Sequence, residues 1–116
     1  MDERKTTLLS TVSLSLTGVL FVALGVPLAL GRVAPNSTYG VRTARTALSE
    51  ELWYAINAPS GVALAIAGGV TVVGCVVLHR MYSTTQANRV LVGNFGVFLV
   101  ASVIALVAMV WINQAA

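Results

Sequence analysis

Hydrophobic positions along the chain fall into three long windows without a charged residue: Thr6–Gly31, Leu52–Leu78 and Val90–Ala116. Each exceeds the roughly 20 apolar residues a helix needs to cross a hydrocarbon core about 30 Å thick. Membrane strands would alternate polar and apolar residues over about 10-residue stretches, and these windows do not alternate. The pattern predicts an all-α membrane protein in one domain, 1–116. Its spans are helix 1 at about 6–31, helix 2 at about 60–79 and helix 3 at about 88–113. The first window is longer than the apolar part of a cleaved signal peptide, and Asp2-Glu3-Arg4-Lys5 ahead of it carries no net positive charge, so we read it as a span.

Within each window, small and polar residues recur at helical spacing. In helix 1, Thr6, Ser10, Ser13 and Thr17 form a stripe with Gly18 close by. In helix 2 the stripe is Gly61, Ala65, Gly68, Val72 and Cys75, and in helix 3 it is Asn94, Phe98, Ala101, Ala105 and Ala108. Lipid offers no hydrophobic gain for helix association, so close backbone approach and interhelical hydrogen bonds replace it. We therefore expect Ser13, Thr17, Gly18, Gly61, Ala65, Gly68, Asn94, Ala101 and Ala105 to pack helix on helix. Asn94 is expected to hydrogen-bond across helices; a ligand contact is the sharper alternative. The result is a three-helix bundle, open to homo-oligomer formation through the same stripes.

Composition narrows the class. The chain is 57% hydrophobic and 9% charged, with a mean hydropathy of +0.86. Soluble domains run near 25% charged, so a soluble enzyme, a disordered tail and a disulfide scaffold are all excluded. The seven Lys and Arg residues are spread over short segments and form no nucleic-acid patch. The single Cys75 reads as a small packing residue. No titratable side chain lies at mid-depth, which argues against a proton-coupled transporter. There is no metal-ligand spacing, no nucleophile with a base and no phosphate-cradling glycine loop. We expect neither an enzyme nor a cofactor. Counting bases, Arg4, Lys5, Arg80 and Arg89 outnumber Arg32, Arg42 and Arg45 by one, a lean towards the N-terminus inside.

Chemistry gathers between helices 1 and 2, in residues 32–59. Pro35-Asn36 is a turn signal, and Gly40 supplies a permissive φ. Ser49 is an N-cap, followed by Glu50 and Glu51 where a helix dipole favours acids. These predict a short helix over about 50–58, with Trp53 and Tyr54 in the head-group layer, lying flat in the interface or leading into helix 2. Arg42 and Arg45, beside Tyr39, Trp53 and Tyr54, offer a recognition patch, since arginine pairs with carboxylate or phosphate and stacks on aromatic rings. The alternative is a topology charge beside an aromatic belt, and spacing by itself favours that alternative.

The pattern Pro35-Asn36-x-x-Tyr39-Gly40-x-Arg42-Thr43, followed by Trp53-Tyr54-x-x-Asn57 and Gly61, resembles the SdpI/YfhL family of bacterial membrane proteins. Three spans with this motif between the first two also match that family. The resemblance implies a multi-pass protein of the bacterial inner (cytoplasmic) membrane related to immunity proteins, which confer resistance to a secreted peptide toxin and can signal through a repressor. On that reading Asn36, Tyr39, Gly40, Arg42, Thr43, Trp53 and Asn57 form one patch that binds a peptide toxin, a lipid head group or a membrane partner. Two other functions stay open: an accessory subunit of a larger membrane complex, and a small transporter or channel.

Overall fold

The computed structural model describes residues 2–82 and 87–116 and consists of three helices, α1 (Glu3–Ala29), α2 (Glu50–Tyr82) and α3 (Ala87–Ala115). All three are long and apolar enough to cross a membrane. Asp2 caps α1, its carboxylate accepting from the Lys5 amide at 2.8 Å, so the helix begins ahead of the apolar run. Its far end closes with the Arg32 amide donating to the Pro27 carbonyl and the Gly31 amide to the Leu28 carbonyl. Gly31 has φ +68°, the left-handed turn in which glycine commonly ends a helix. Of the connection expected between 79 and 88, α2 takes Arg80 to Tyr82, and residues 83–86 lie outside the described part.

The separate short helix expected over 50–58 is not present: those residues are the opening turns of α2, which runs without interruption through Pro59. Proline removes one backbone hydrogen bond and crowds the carbonyl four residues back. Here that carbonyl belongs to Ala55, and both Ala55 and Pro59 face outward, so the freed group points away from packed protein. Ser49 still acts as the N-cap, its hydroxyl accepting from the Leu52 amide at 3.1 Å.

Glycines set the crossing of α1 and α2. A Cβ on Gly18 would lie 2.6 Å from the Gly68 carbonyl oxygen, and one on Gly25 would lie 2.6 Å from the Gly61 carbonyl oxygen and 2.8 Å from the Ala65 amide. Backbones this close tolerate no side chain, which is how helices associate without a hydrophobic gain. The crossing fixes the rotation of α1. Its buried residues are Thr7, Ser10, Thr11, Leu14, Gly18, Gly25 and Leu28. This corrects the expected stripe: Ser13 is exposed and Thr17 only half-buried, bonding at 3.0 Å to the Ser13 carbonyl of its own helix.

Helix α3 packs mainly on α2, and Phe21 meets Phe98 across α1 and α3 with ring centroids 6.0 Å apart. Near one end Asn94, fully buried, donates at 3.1 Å to both Ser10 and Thr11 of α1, and Thr11 in turn lies 3.3 Å from the His79 ring of α2. Three helices are thus tied by one polar node. Ala105 is buried and Ala101 half-buried. Both line an apolar recess of about 660 Å³ between α2 and α3 that is open to the surroundings.

Candidate functional site: a folded polar cap

At 33 residues and about 1.5 Å per residue, α2 spans about 50 Å, nearly the 53 Å long axis of the molecule. Gly25 faces Gly61, so the end of α1 at Ala29 comes level with about Asn57, and the first turns of α2 project beyond it. The 32–49 segment wraps this projecting end.

Each turn of the wrap is held by a named side chain. The Asn36 carboxamide oxygen accepts from the amides of Thr38 (2.9 Å) and Tyr39 (2.7 Å) while its nitrogen donates to the Ala34 carbonyl at 2.8 Å, closing a tight turn. That turn directs the Tyr39 hydroxyl onto the Leu24 carbonyl of α1. Burial pushes the Tyr39 phenol up from its ordinary value. Asn57, 1% exposed, treats Val41 as a strand neighbour would: its oxygen accepts from the Val41 amide at 2.6 Å and its nitrogen donates to the Val41 carbonyl at 3.2 Å. The same nitrogen donates to the Trp53 carbonyl at 3.0 Å, fixing the rotamer. Gly40, at φ +111°, lets the chain come this near, since a Cβ there would sit 2.8 Å from Asn57 Oδ1 and 3.1 Å from Trp53 Cη2. The buried Trp53 indole donates to the Val33 carbonyl at 2.8 Å.

The remaining turn is built from Thr43 and Thr46. The Thr43 amide donates to the Thr46 hydroxyl at 2.8 Å, and the Thr46 amide to the Thr43 hydroxyl at 3.2 Å. Thr43 also donates at 2.7 Å to Asn113 at the end of α3. The cap therefore touches all three helices: α1 through Tyr39, α2 through Trp53 and Asn57, α3 through Thr43.

The seven motif residues expected to form one patch do come together, yet they divide by role. Asn36, Tyr39, Gly40, Thr43, Trp53 and Asn57 are engaged in holding the cap, whereas Arg42 is exposed at its rim and its guanidinium donates to the Ser37 carbonyl. Beside it opens a cleft of about 490 Å³, lined by Pro35, Ser37, Arg42, Thr46, Glu50 and Trp53 among others. Arg45 has its Nε buried with no partner, and Leu48 is 73% exposed. Asn113 and Thr46 were not singled out by sequence: Asn113 is 70 residues from the Thr43 it bonds, and no spacing rule links them. Among the described residues no three His, Cys, Asp or Glu side chains come together to hold a metal ion.

Three apolar helices long enough to span a bilayer, carrying a hydrogen-bonded polar cap at one end, define a multi-pass membrane protein. The chain belongs to the SdpI/YfhL protein family, whose model matches residues 32–112, from the first residue of the cap through most of α3. No curated protein and no solved structure matches the chain.

Proposed function

We propose that this is an inner-membrane protein of a bacterium with an immunity-type, non-enzymatic role, and that its cap recognises a secreted peptide toxin or a membrane protein partner. The observation that carries this reading is the preorganisation of the cap. A segment with no long regular element of its own is held by side-chain bonds to three helices, so little ordering cost remains when a partner docks. Its outer rim presents Ser37, Thr38, Arg42, Leu48, Glu50 and Glu51, all exposed. The one-residue excess of bases on the N-terminal side favours the cap facing outward, where a secreted peptide arrives. The test is protection of a sensitive host challenged with the secreted peptide fraction of the strain that carries this gene. Arg42→Ala and Leu48→Asp, both at exposed positions, are expected to abolish protection at unchanged membrane levels. Full protection by both variants refutes the reading.

A second reading, an accessory subunit of a larger complex, is favoured by the recess between α2 and α3. Its small residues Ala63, Ala67, Gly96, Ala101, Ala105 and Ala108 leave room for a helix from another chain. A stoichiometric partner retained through mild detergent extraction supports that reading, and a monodisperse homo-oligomer counts against it.

A further inference from the structure

The charge-free run Leu52–Leu78 of α2, about 40 Å at 1.5 Å per residue, matches a bilayer of 40–45 Å with its head groups included. Glu50, Trp53 and the cleft beside them thus fall in the head-group layer. Most polar groups around that cleft are already engaged. Asn36 is spent on its own turn, Thr43 on Asn113, Thr46 on Thr43 and the Ser49 hydroxyl on the Leu52 amide. Two charged groups that line the cleft keep free hydrogen-bonding capacity. Arg42, on the loop, carries five N–H donors and is steadied by its one bond to the Ser37 carbonyl, which leaves the others for a ligand. Glu50 is exposed in the first turn of α2. A simple anion placed here meets the Glu50 carboxylate, and a simple cation meets Arg42. A ligand carrying both charges a few bonds apart satisfies both groups.

We propose that this cleft holds a phosphoethanolamine group, its phosphate paired with Arg42 and its primary ammonium with Glu50. Arginine matches phosphate oxygens in a bidentate fork. The ammonium has three hydrogens to donate, whereas the quaternary nitrogen of a choline head group has none. Arg42 and Glu50 also belong to the rim of the partner reading, yet the proposal does not rest on it, because a cap that met no peptide would still hold such a group.

The chemistry has two sources, a phosphatidylethanolamine lipid or a soluble phosphoethanolamine ester. The test uses the full chain in detergent micelles with equimolar phosphatidylethanolamine, phosphatidylcholine and phosphatidylglycerol of identical acyl chains, with retained lipid counted by native mass spectrometry. The wild-type chain is expected to retain phosphatidylethanolamine over each of the others by about fivefold, the worth of one exposed ion pair. Arg42→Ala is expected to lower retention of phosphatidylethanolamine and phosphatidylcholine alike, about fivefold each, because both carry the phosphate. Glu50→Gln is expected to erase the preference for phosphatidylethanolamine over phosphatidylcholine while the phosphate contact persists. Displacement of the lipid by added soluble phosphoethanolamine supports the head-group chemistry with either source; resistance to it, with the preference intact, supports the bilayer lipid as the source. Equal retention of all three lipids by the wild-type chain, or an unchanged preference in Glu50→Gln, overturns the assignment and leaves the cleft to a peptide partner. No peptide enters this measurement, so its failure is separate from a failure of the protection assay.

Discussion

Replacing Asn57 with Ala tests whether one buried carboxamide holds the cap. The side chain makes two bonds to the Val41 backbone, at 2.6 and 3.2 Å, and one to the Trp53 carbonyl at 3.0 Å. The Trp53 carbonyl lies inside α2 and keeps its helical partner, so the loss falls on Val41. Two hydrogen bonds at about 1 kcal/mol net each come to about 2 kcal/mol. Stranding the Val41 amide and carbonyl in a half-buried site would cost more. The loop avoids that cost by swinging out to water, so about 2 kcal/mol is the expected change in the free energy of opening. Every 1.4 kcal/mol is tenfold, so amide exchange over residues 37–46 is expected to speed up about 30-fold. Hydrogen exchange read by mass spectrometry, with the chain in lipid nanodiscs, supplies the measurement, and peptides from the middle of α1, α2 and α3 serve as the internal reference. Acceleration confined to the loop is the expected outcome. If exchange over 37–46 stays within about threefold of wild type while the helices are unchanged, Val41 is held by something other than Asn57 and the clamp argument fails.

Two further outcomes are expected. Gly68→Ala would drive a methyl into the Gly18 carbonyl and the Phe21 Cβ, whereas Gly96→Ala would meet nothing within 4 Å; the first should lower the thermal midpoint of the purified chain, and the second should leave it unchanged or raise it, by up to about 1 kcal/mol in stability from helix propensity. Tyr39 has its phenol raised by burial, so it favours folding while protonated, and that contribution is lost as pH rises through its folded-state value, above the ordinary tyrosine value of about 10. Tyr39→Phe should therefore loosen the cap at neutral pH, because the bond to the Leu24 carbonyl is gone, and should flatten the loss of cap protection expected above pH 10 in the wild type.

The three spans were legible because a long apolar run without charge has one stable solution in lipid and needs no tertiary information. The rotation of α1 was legible only in part: Ser10 and Gly18 face protein as expected, while Ser13 is exposed and Thr17 only half-buried. Hydroxyls at Thr6, Ser13 and Thr17 suggested a protein-facing stripe, but Thr6 and Thr17 bond to carbonyls four residues back in the chain and so need no neighbour. The glycine contacts at Gly18 and Gly25 decide the rotation instead, bringing Thr7, Ser10, Thr11 and Leu14 inward. The same limit applies to Pro59. Proline is a strong local signal for a break, yet the turns before it are fastened to the cap by Trp53 and Asn57, and that fastening favours one continuous helix.

The motif between the first two spans carries a further lesson about what a motif signifies. Tyr39, Gly40, Trp53 and Asn57 stand as binding residues on what the family resemblance implies. In the fold each is already satisfied: Tyr39 by Leu24, Trp53 by Val33, Asn57 by Val41, and Gly40 by the close approach that its missing side chain permits. A buried group whose hydrogen bonds are complete has little left to offer a ligand, and altering it changes binding by collapsing the surface rather than by removing a contact. If the cap recognises a partner as proposed, the contacts fall on exposed groups that the motif leaves free: Arg42 within it, and Leu48, Glu50 and Glu51 outside its most telling letters. Those last three can vary without disturbing the clamp. On the proposed function, the motif builds the cap, while the rim between Leu48 and Glu51, together with Arg42, would set specificity for one partner over another.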